Sequence, residues 1–309
     1  MITGKLTMKS LQLVCCLCSA FSMVTTIAEE KPLQVATLAP NARAHAETSG
    51  SPGLWQSLNP KKLKLRSAAA LVVDHDGNEV YAKHVDEPQP IASITKLMTA
   101  MVILDSSLPL QERITIVKED RDLIQLTGSR LQYGATLTRK QLLKLALMAS
   151  ENRAANALAR TWPGGRASFV KAMNRKAGSL GMQSSHFTGP AGLDPGNVAS
   201  ARDVEKMVRA SLTYPLIREA TTTRSISVTP YKGRGSLRYS NTNRLVKNNA
   251  WTIQVSKTGY LNEAGRCLAM EAKIANRPLV IVLLNSYGKL TPFGDSNRIR
   301  EWIEHGIDG

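Results

Sequence analysis

Stretches of strand character stand at both ends of this 309-residue chain, and helical periodicity fills the space between them. Residues 68–74 (AAALVVD) form an unbroken apolar run. Residues 79–84 (EVYAKH) alternate in polarity, and His75-Asp76-Gly77-Asn78 between the two runs supplies turn chemistry, the pattern of a β-hairpin. Strand-like runs return only late, at 224–229, 252–257, 267–274 and 279–285. In between, apolar residues recur at helical spacing over 93–104, 139–150, 153–161, 167–180 and 201–212. Pro163-Gly164-Gly165 separates two of these segments, and Ser200 stands where an N-cap belongs. A closing helix fits 295–304. Strands, then helices, then strands predict an α+β fold in which the first and last strands share one antiparallel sheet. The central helices are expected to form a lobe over one side of it.

The N-terminus reads as an export signal. Lys5 and Lys9 form a positive start, an apolar run follows over 11–21, and Thr26-Ile27-Ala28 offers small residues for cleavage before Glu29-Glu30. The run is short for a membrane-spanning helix, which needs about 20 apolar residues. Lipoprotein processing is a weaker alternative, because no small residue precedes Cys15, Cys16 or Cys18. Residues 1–28 are therefore expected to be a signal peptide, 29–66 a flexible tether without periodicity, and 67–309 the folded domain. Loss of the signal leaves Cys267 as the remaining cysteine, so the mature chain is expected to have no internal disulfide.

The formal net charge is +16, and the signal removes only two lysines from it. An exported basic protein suits an anionic polymer or surface, and no nucleic-acid recognition motif is present. His45, His75, His84, His186 and His305 show no ligand spacing, so neither metal nor cofactor is expected.

Three short motifs carry chemistry when taken together. Ser93-Ile94-Thr95-Lys96 opens a segment that is apolar nearly all round, the mark of a buried helix. Ser93 and Lys96, three apart, share a face. Burial lowers a lysine pKa, so Lys96 could accept the proton of a Ser93 nucleophile. Ser150-Glu151-Asn152 lies where one helix ends and the next begins, and Lys257-Thr258-Gly259 ends a strand at a residue that permits close approach. Singly these patterns are weak: S-x-x-K recurs at 168–171 and 286–289, and S-x-N at 57–59. In this order and these contexts they form the set of penicillin-binding proteins and class A β-lactamases.

Longer stretches carry the resemblance further: PIASITKLMTAMV at 90–102, LALMASENRAA at 145–155, GPAGLDPGNVASARDV at 189–204, NTNRLV at 241–246 and KTGYLNEAGRC at 257–267. They resemble the low-molecular-mass penicillin-binding proteins, peptidase family S11-like, and most nearly the penicillin-binding protein 7/8 group of D-alanyl-D-alanine endopeptidases. The resemblance spans residue 68 to the C-terminus. It implies a DD-peptidase/β-lactamase-like fold, an antiparallel sheet flanked by helices with a helical subdomain. It implies that Ser93 forms an acyl-enzyme, Lys96 takes its proton, Ser150 relays a proton to the leaving amine, and Asn152 positions Lys96 and the substrate amide. Lys257 and Thr258 would hold the substrate carboxylate or backbone. The N–H groups of Ser93 and of Tyr260, the residue after Gly259, would bind the oxyanion. Glu151 stands where many relatives carry Asp or a small residue, and no chemical role is assigned to it.

The implied partners are peptidoglycan peptides and covalent β-lactam inhibitors, with no nucleic acid and at most peripheral membrane contact. The implied location is the periplasm. The chain ends soon after its last helix, so no C-terminal domain or amphipathic anchor is expected. A D-Ala-D-Ala carboxypeptidase shares every motif residue and stays open as an alternative. A non-catalytic wall-binding protein stays open too, although no polar group of the set is missing. A β-lactamase would need a glutamate-activated water, and the 189–196 loop offers Asp194 instead.

Overall fold

The computed structural model describes residues 52–307. The expected signal and residues 29–51 of the expected tether lie outside the described residues. Helix α1 (Pro52–Gln56) and a 3-10 turn at Pro60–Lys62 precede β1 (Ser67–Asp74) and β2 (Glu79–Lys83). Their connection turns at Gly77, whose φ of 91° suits a residue without Cβ. A short β3 (Gln89–Pro90) leads into a 3-10 turn, Ala92–Thr95, and then α2 (Lys96–Leu104). The sequence periodicity had suggested one helix from 93. Two short strands, β4 (Arg113–Thr115) and β5 (Thr136–Thr138), pair with each other. Helix α3 (Arg139–Met148) starts at a capping box: Thr138 Oγ1 accepts from Gln141 N at 3.1 Å, and Gln141 Oε1 accepts from Thr138 N at 2.9 Å.

Helices α4 (Asn152–Arg160) and α5 (Gly165–Ser179) follow, and β6 (Val198–Ala199) pairs with β3. Helix α6 (Ala201–Leu212) is capped by Ser200 as the sequence predicts. Helix α7 (Pro215–Thr222), with proline in its first turn, was not anticipated. The strand expected at 224–229 forms as β7 (Ser225–Val228) but pairs with β8 (Leu237–Ser240), outside the main sheet. After a 3-10 turn at Arg244–Lys247 come β9 (Thr252–Leu261), β10 (Gly265–Ile274), β11 (Arg277–Ser286) and α8 (Thr291–Ile307).

The first and last strands do meet. The five-stranded antiparallel sheet runs β2-β1-β11-β10-β9, with Leu71 opposite Val282 and Met270 opposite Ile281. The β10–β11 hairpin turns in two residues, Ala275 and Asn276, at φ 48° and 58°. One face of the sheet (Leu71, Val73, Ala269, Val282, Leu284) packs against the helical lobe of α2 to α6. The other (Val72, Leu268, Met270, Ile281, Leu283) packs against Ile299 and Ile303 of α8. Burial on both sides explains why β1, β10 and β11 read as continuous rather than alternating runs.

Residues 52–66 differ from the expected tether. Trp55, Leu58 and Leu63 are buried in the α8 layer. The Trp55 Nε1–H donates to the Asp74 carboxylate at 2.7 Å, and Trp302 Nε1 donates to the Asn59 carbonyl at 3.0 Å. Asp295, fully buried on α8, accepts from the backbone N–H of Arg66 and Ser67. This segment is a structural strap across the C-terminal helix. The β9 strand is left at the edge of the sheet, facing the helical lobe across a cleft.

Candidate active site

Ser93 sits in the 3-10 turn at the head of α2, one residue after Ala92. The φ of Ala92 is 47°, a left-handed conformation that costs a non-glycine residue on the order of 1–3 kcal/mol. Two glycines let backbones crowd this turn. A Cβ on Gly192 would stand 1.9 Å from the Ala92 carbonyl oxygen, and one on Gly259 would stand 3.1 Å from Ser93 N. Strand β9 and the 189–192 segment thus clamp the turn from two sides.

Lys96 opens α2 and is fully buried. Its Nζ lies 2.7 Å from Ser93 Oγ, 2.8 Å from Asn152 Oδ1 and 2.6 Å from the Ala191 carbonyl, one acceptor for each ammonium proton. Burial pushes its pKa down to about 7, against the pull of the Glu151 and Asp122 charges, which favour the ammonium. An amine at that value is half unprotonated near neutral pH, where it can accept a proton from the adjoining hydroxyl.

The other motif residues converge on the same place. Ser150 connects α3 to α4 with a φ of 58°. Lys257, buried on β9, donates to Ser150 Oγ at 3.0 Å and to the Thr258 carbonyl at 2.7 Å. Burial, and then the neighbouring Lys96 charge, hold Lys257 well below the ordinary lysine value. Thr258 Oγ1 and Thr242 Oγ1 share a hydrogen bond of 2.7 Å. Asn152 is the first residue of α4, and its Nδ2 donates to Thr127 Oγ1 at 2.9 Å. Glu151 caps that helix: its carboxylate accepts from Arg153 N and, at 2.7 Å, from Ser129 Oγ.

These groups border a cleft of about 370 Å³. Ser93, Ser150, Asn152, Thr258, Gly259 and Tyr260 line it, and Lys96 and Lys257 stand behind them. Arg244, Arg266 and Lys289 add positive charge to the rim, and the Arg266 guanidinium lies 3.5 Å from the centre of the Tyr260 ring. Sequence reasoning missed the Ala191 carbonyl, Thr242, Thr127 and Asp122. Ala191 and Thr242 fall inside stretches that carry the family resemblance, but a carbonyl and a threonine hydroxyl announce no chemistry by residue type. Nothing local marks Asp122 or Thr127. Cys267 is buried, its thiol pushed up to about 12 by burial, and it takes no visible part in the chemistry. Among the described residues, no group of three or more His, Cys, Asp or Glu is placed to hold a metal.

Known proteins resemble this chain over most of its length. The sequence pattern of peptidase S11, described as D-alanyl-D-alanine carboxypeptidase, matches residues 56–288. A Pseudomonas aeruginosa protein named D-alanyl-D-alanine endopeptidase is 45% identical over 248 residues, 80% of each chain. The crystal structure of the Streptomyces K15 DD-transpeptidase superposes with a TM-score of 0.73 at 25% identity, over 78% of this chain and 98% of that one. Penicillin-binding protein D2 from Listeria monocytogenes, in its cefotaxime-bound form, gives 0.69 at 26% identity over 78% and 98%.

Proposed function

This chain belongs to the peptidase S11 family, and on that premise we propose that it is a serine D-alanyl-D-alanine endopeptidase that opens peptide cross-links of peptidoglycan. The observation that carries the reading is the 2.7 Å contact between the Ser93 hydroxyl and an amine held near neutrality by burial. Ser93 Oγ attacks the carbonyl carbon of the D-Ala residue, and its proton passes to the Lys96 amine. The oxyanion is met by the N–H groups of Ser93 and Tyr260; the close approach of Gly259 to Ser93 N supports this pairing. Such preorganised donors are each worth about 10²–10³ in rate. The C–N bond then breaks, and the departing amine receives a proton through Ser150, which Lys257 touches. Water attacks the resulting ester, Ser93 recovers its proton, and a D-Ala carboxylate leaves. Asn152 holds Lys96 from the cleft side, and Lys257 with Thr258 offers hydrogen bonds to the substrate backbone or carboxylate.

A β-lactam presents a strained amide to the same serine and leaves no small amine to depart, so the ester persists. The cefotaxime complex of the Listeria relative supports β-lactam inhibition here. The basic rim suits a carboxylate-rich wall polymer. The N-terminal signal pattern supports export to the periplasm, and among the described residues no helix is long and apolar enough to cross a membrane.

The test is digestion of isolated sacculi with product analysis and a Ser93→Ala control. Cross-linked dimers should fall to monomers with the parent chain, and the control should lose at least about 10³ in rate. Trimming of pentapeptides to tetrapeptides with dimers untouched would replace this reading with the carboxypeptidase.

A further inference from the structure

Behind Asn152 the hydrogen bonds all run one way. Lys96 Nζ donates to Asn152 Oδ1 at 2.8 Å, Asn152 Nδ2 donates to Thr127 Oγ1 at 2.9 Å, and Thr127 Oγ1 donates to Asp122 Oδ2 at 2.7 Å. The carboxylate at the end imposes that direction, because in its ionised form it can only accept. With its one proton committed to Asp122, the Thr127 hydroxyl offers only lone pairs to Asn152. The amide must therefore turn its NH₂ toward Thr127 and its oxygen toward Lys96. Asp122 is itself pinned. It is buried, and it accepts from the backbone N–H groups of Ile124, Gln125 and Thr127 at 2.9, 2.9 and 3.0 Å. Burial pushes its carboxyl upward, but the Thr127 hydroxyl and these amides outweigh that and hold it below the usual range.

We propose that Asp122 and Thr127 are positioning residues for catalysis: they lock the Asn152 amide with its oxygen facing Lys96, which keeps the amine aimed at Ser93. Neither residue touches the cleft's reacting atoms, so Thr127 acts through Asn152 alone, and Asp122 acts through Asn152 and through the pull of its charge on Lys96. The charged groups that bear on Lys96 are Glu151 at the start of α4, Asp122 on the 121–127 segment and Lys257 on β9. The first two favour the ammonium, so removing the Asp122 charge makes Lys96 easier to deprotonate. The inference rests on Ser93 being the nucleophile.

The experiment measures the second-order rate of acylation by a fluorescent penicillin across pH, on the full chain. Thr127→Val keeps the backbone N–H to Asp122 and removes only the hydroxyl. It should slow acylation by about 10- to 100-fold at every pH, the scale of a small misplacement of a reacting group. Thr127→Ser should restore most of the rate. Asp122→Asn should shift the midpoint of the acylation profile to lower pH, since one of two anions stabilising the ammonium is gone. Its amide can also turn an N–H toward Thr127 and release the Asn152 orientation. A Thr127→Val protein that melts lower yet acylates at the parent rate at all pH values would reduce both residues to structural ones and overturn the proposal. So would an Asp122→Asn midpoint that stays put or moves to higher pH. Failure of the parent chain to be labelled at all would instead bring down the reading of Ser93.

Discussion

The centre of strand β11 and the first turn of α2 are both buried, yet they bury opposite things. From Leu279 to Leu284 every β11 side chain is apolar, alternating between the lobe-facing layer and the α8 layer. Each such residue contributes about 1.5–3 kcal/mol by leaving water. The head of α2 buries Lys96 beside a second buried lysine, Lys257, and is reached through Ala92 at positive φ. Moving Lys96 from its ordinary 10.5 to about 7 corresponds to about 5 kcal/mol of stability forgone at neutral pH. The hydrocarbon layers supply the margin that lets the cleft hold groups that no folding argument would put there. Stability and chemistry are thus separable by region.

The sharpest way to break that separation is Lys96→Met. Penicillin acylation should fall by about 10²–10⁴, the usual worth of a general base. Yet the variant should melt higher near neutral pH. Relief of about 5 kcal/mol exceeds the 1–3 kcal/mol of leaving the Ala191 carbonyl without its donor, and Asn152 lines the cleft, where water can reach it without the amide turning. The sign with pH is also set. Between about 7 and 10.5 the unfolded chain holds a proton that the folded one has shed, so the parent's stability rises with pH through that window. The advantage of the methionine variant should be full below pH 7 and gone above 10.5. Thermal melts over pH check this, and a variant less stable at neutral pH would contradict the comparison.

Leu283→Ala tests the other region. It should lose about 2–5 kcal/mol in urea unfolding, while acylation per folded molecule stays at the parent value. A parallel loss of acylation under native conditions would show that the two regions are coupled. The smallest effect is expected at the strap: Trp55→Phe removes the 2.7 Å bond to the Asp74 carboxylate and should cost about 1–2 kcal/mol by the same measurement, with acylation unchanged.

Where local pattern decides structure, the sequence was legible. Helix α6 begins at the Ser200 cap, and the apolar runs at both ends of the chain became partners in one sheet. The grouping of Ser93, Lys96, Ser150, Asn152, Lys257 and Thr258 was readable because each occupies a short motif in a fixed order. The 3-10 turn at Ala92–Thr95 was not, since four residues of 3-10 and α-helix share one apolar spacing. The strap was missed because Trp55, Leu58 and Leu63 are too widely and irregularly spaced to show a period; only their partners on α8 explain them. Helix α7 was missed because it is short and ends in threonines, which favour strands. Asp122 and Thr127 stayed hidden because a chain of hydrogen bonds joins residues with no spacing rule between them. Glu151, left without a role by sequence, proves to cap α4.

The pairing of β1 with β11 also bears on how the molecule comes to exist. The strand made first must wait for almost the whole polypeptide to be synthesised before its neighbour appears, and that neighbour is the innermost strand of the sheet. Contacts so distant in sequence close slowly. A nascent chain with this topology cannot complete its sheet until β11 has been made. An order of strands that looks wasteful for rapid folding therefore postpones the closing of the sheet until nearly all of its strands have been made.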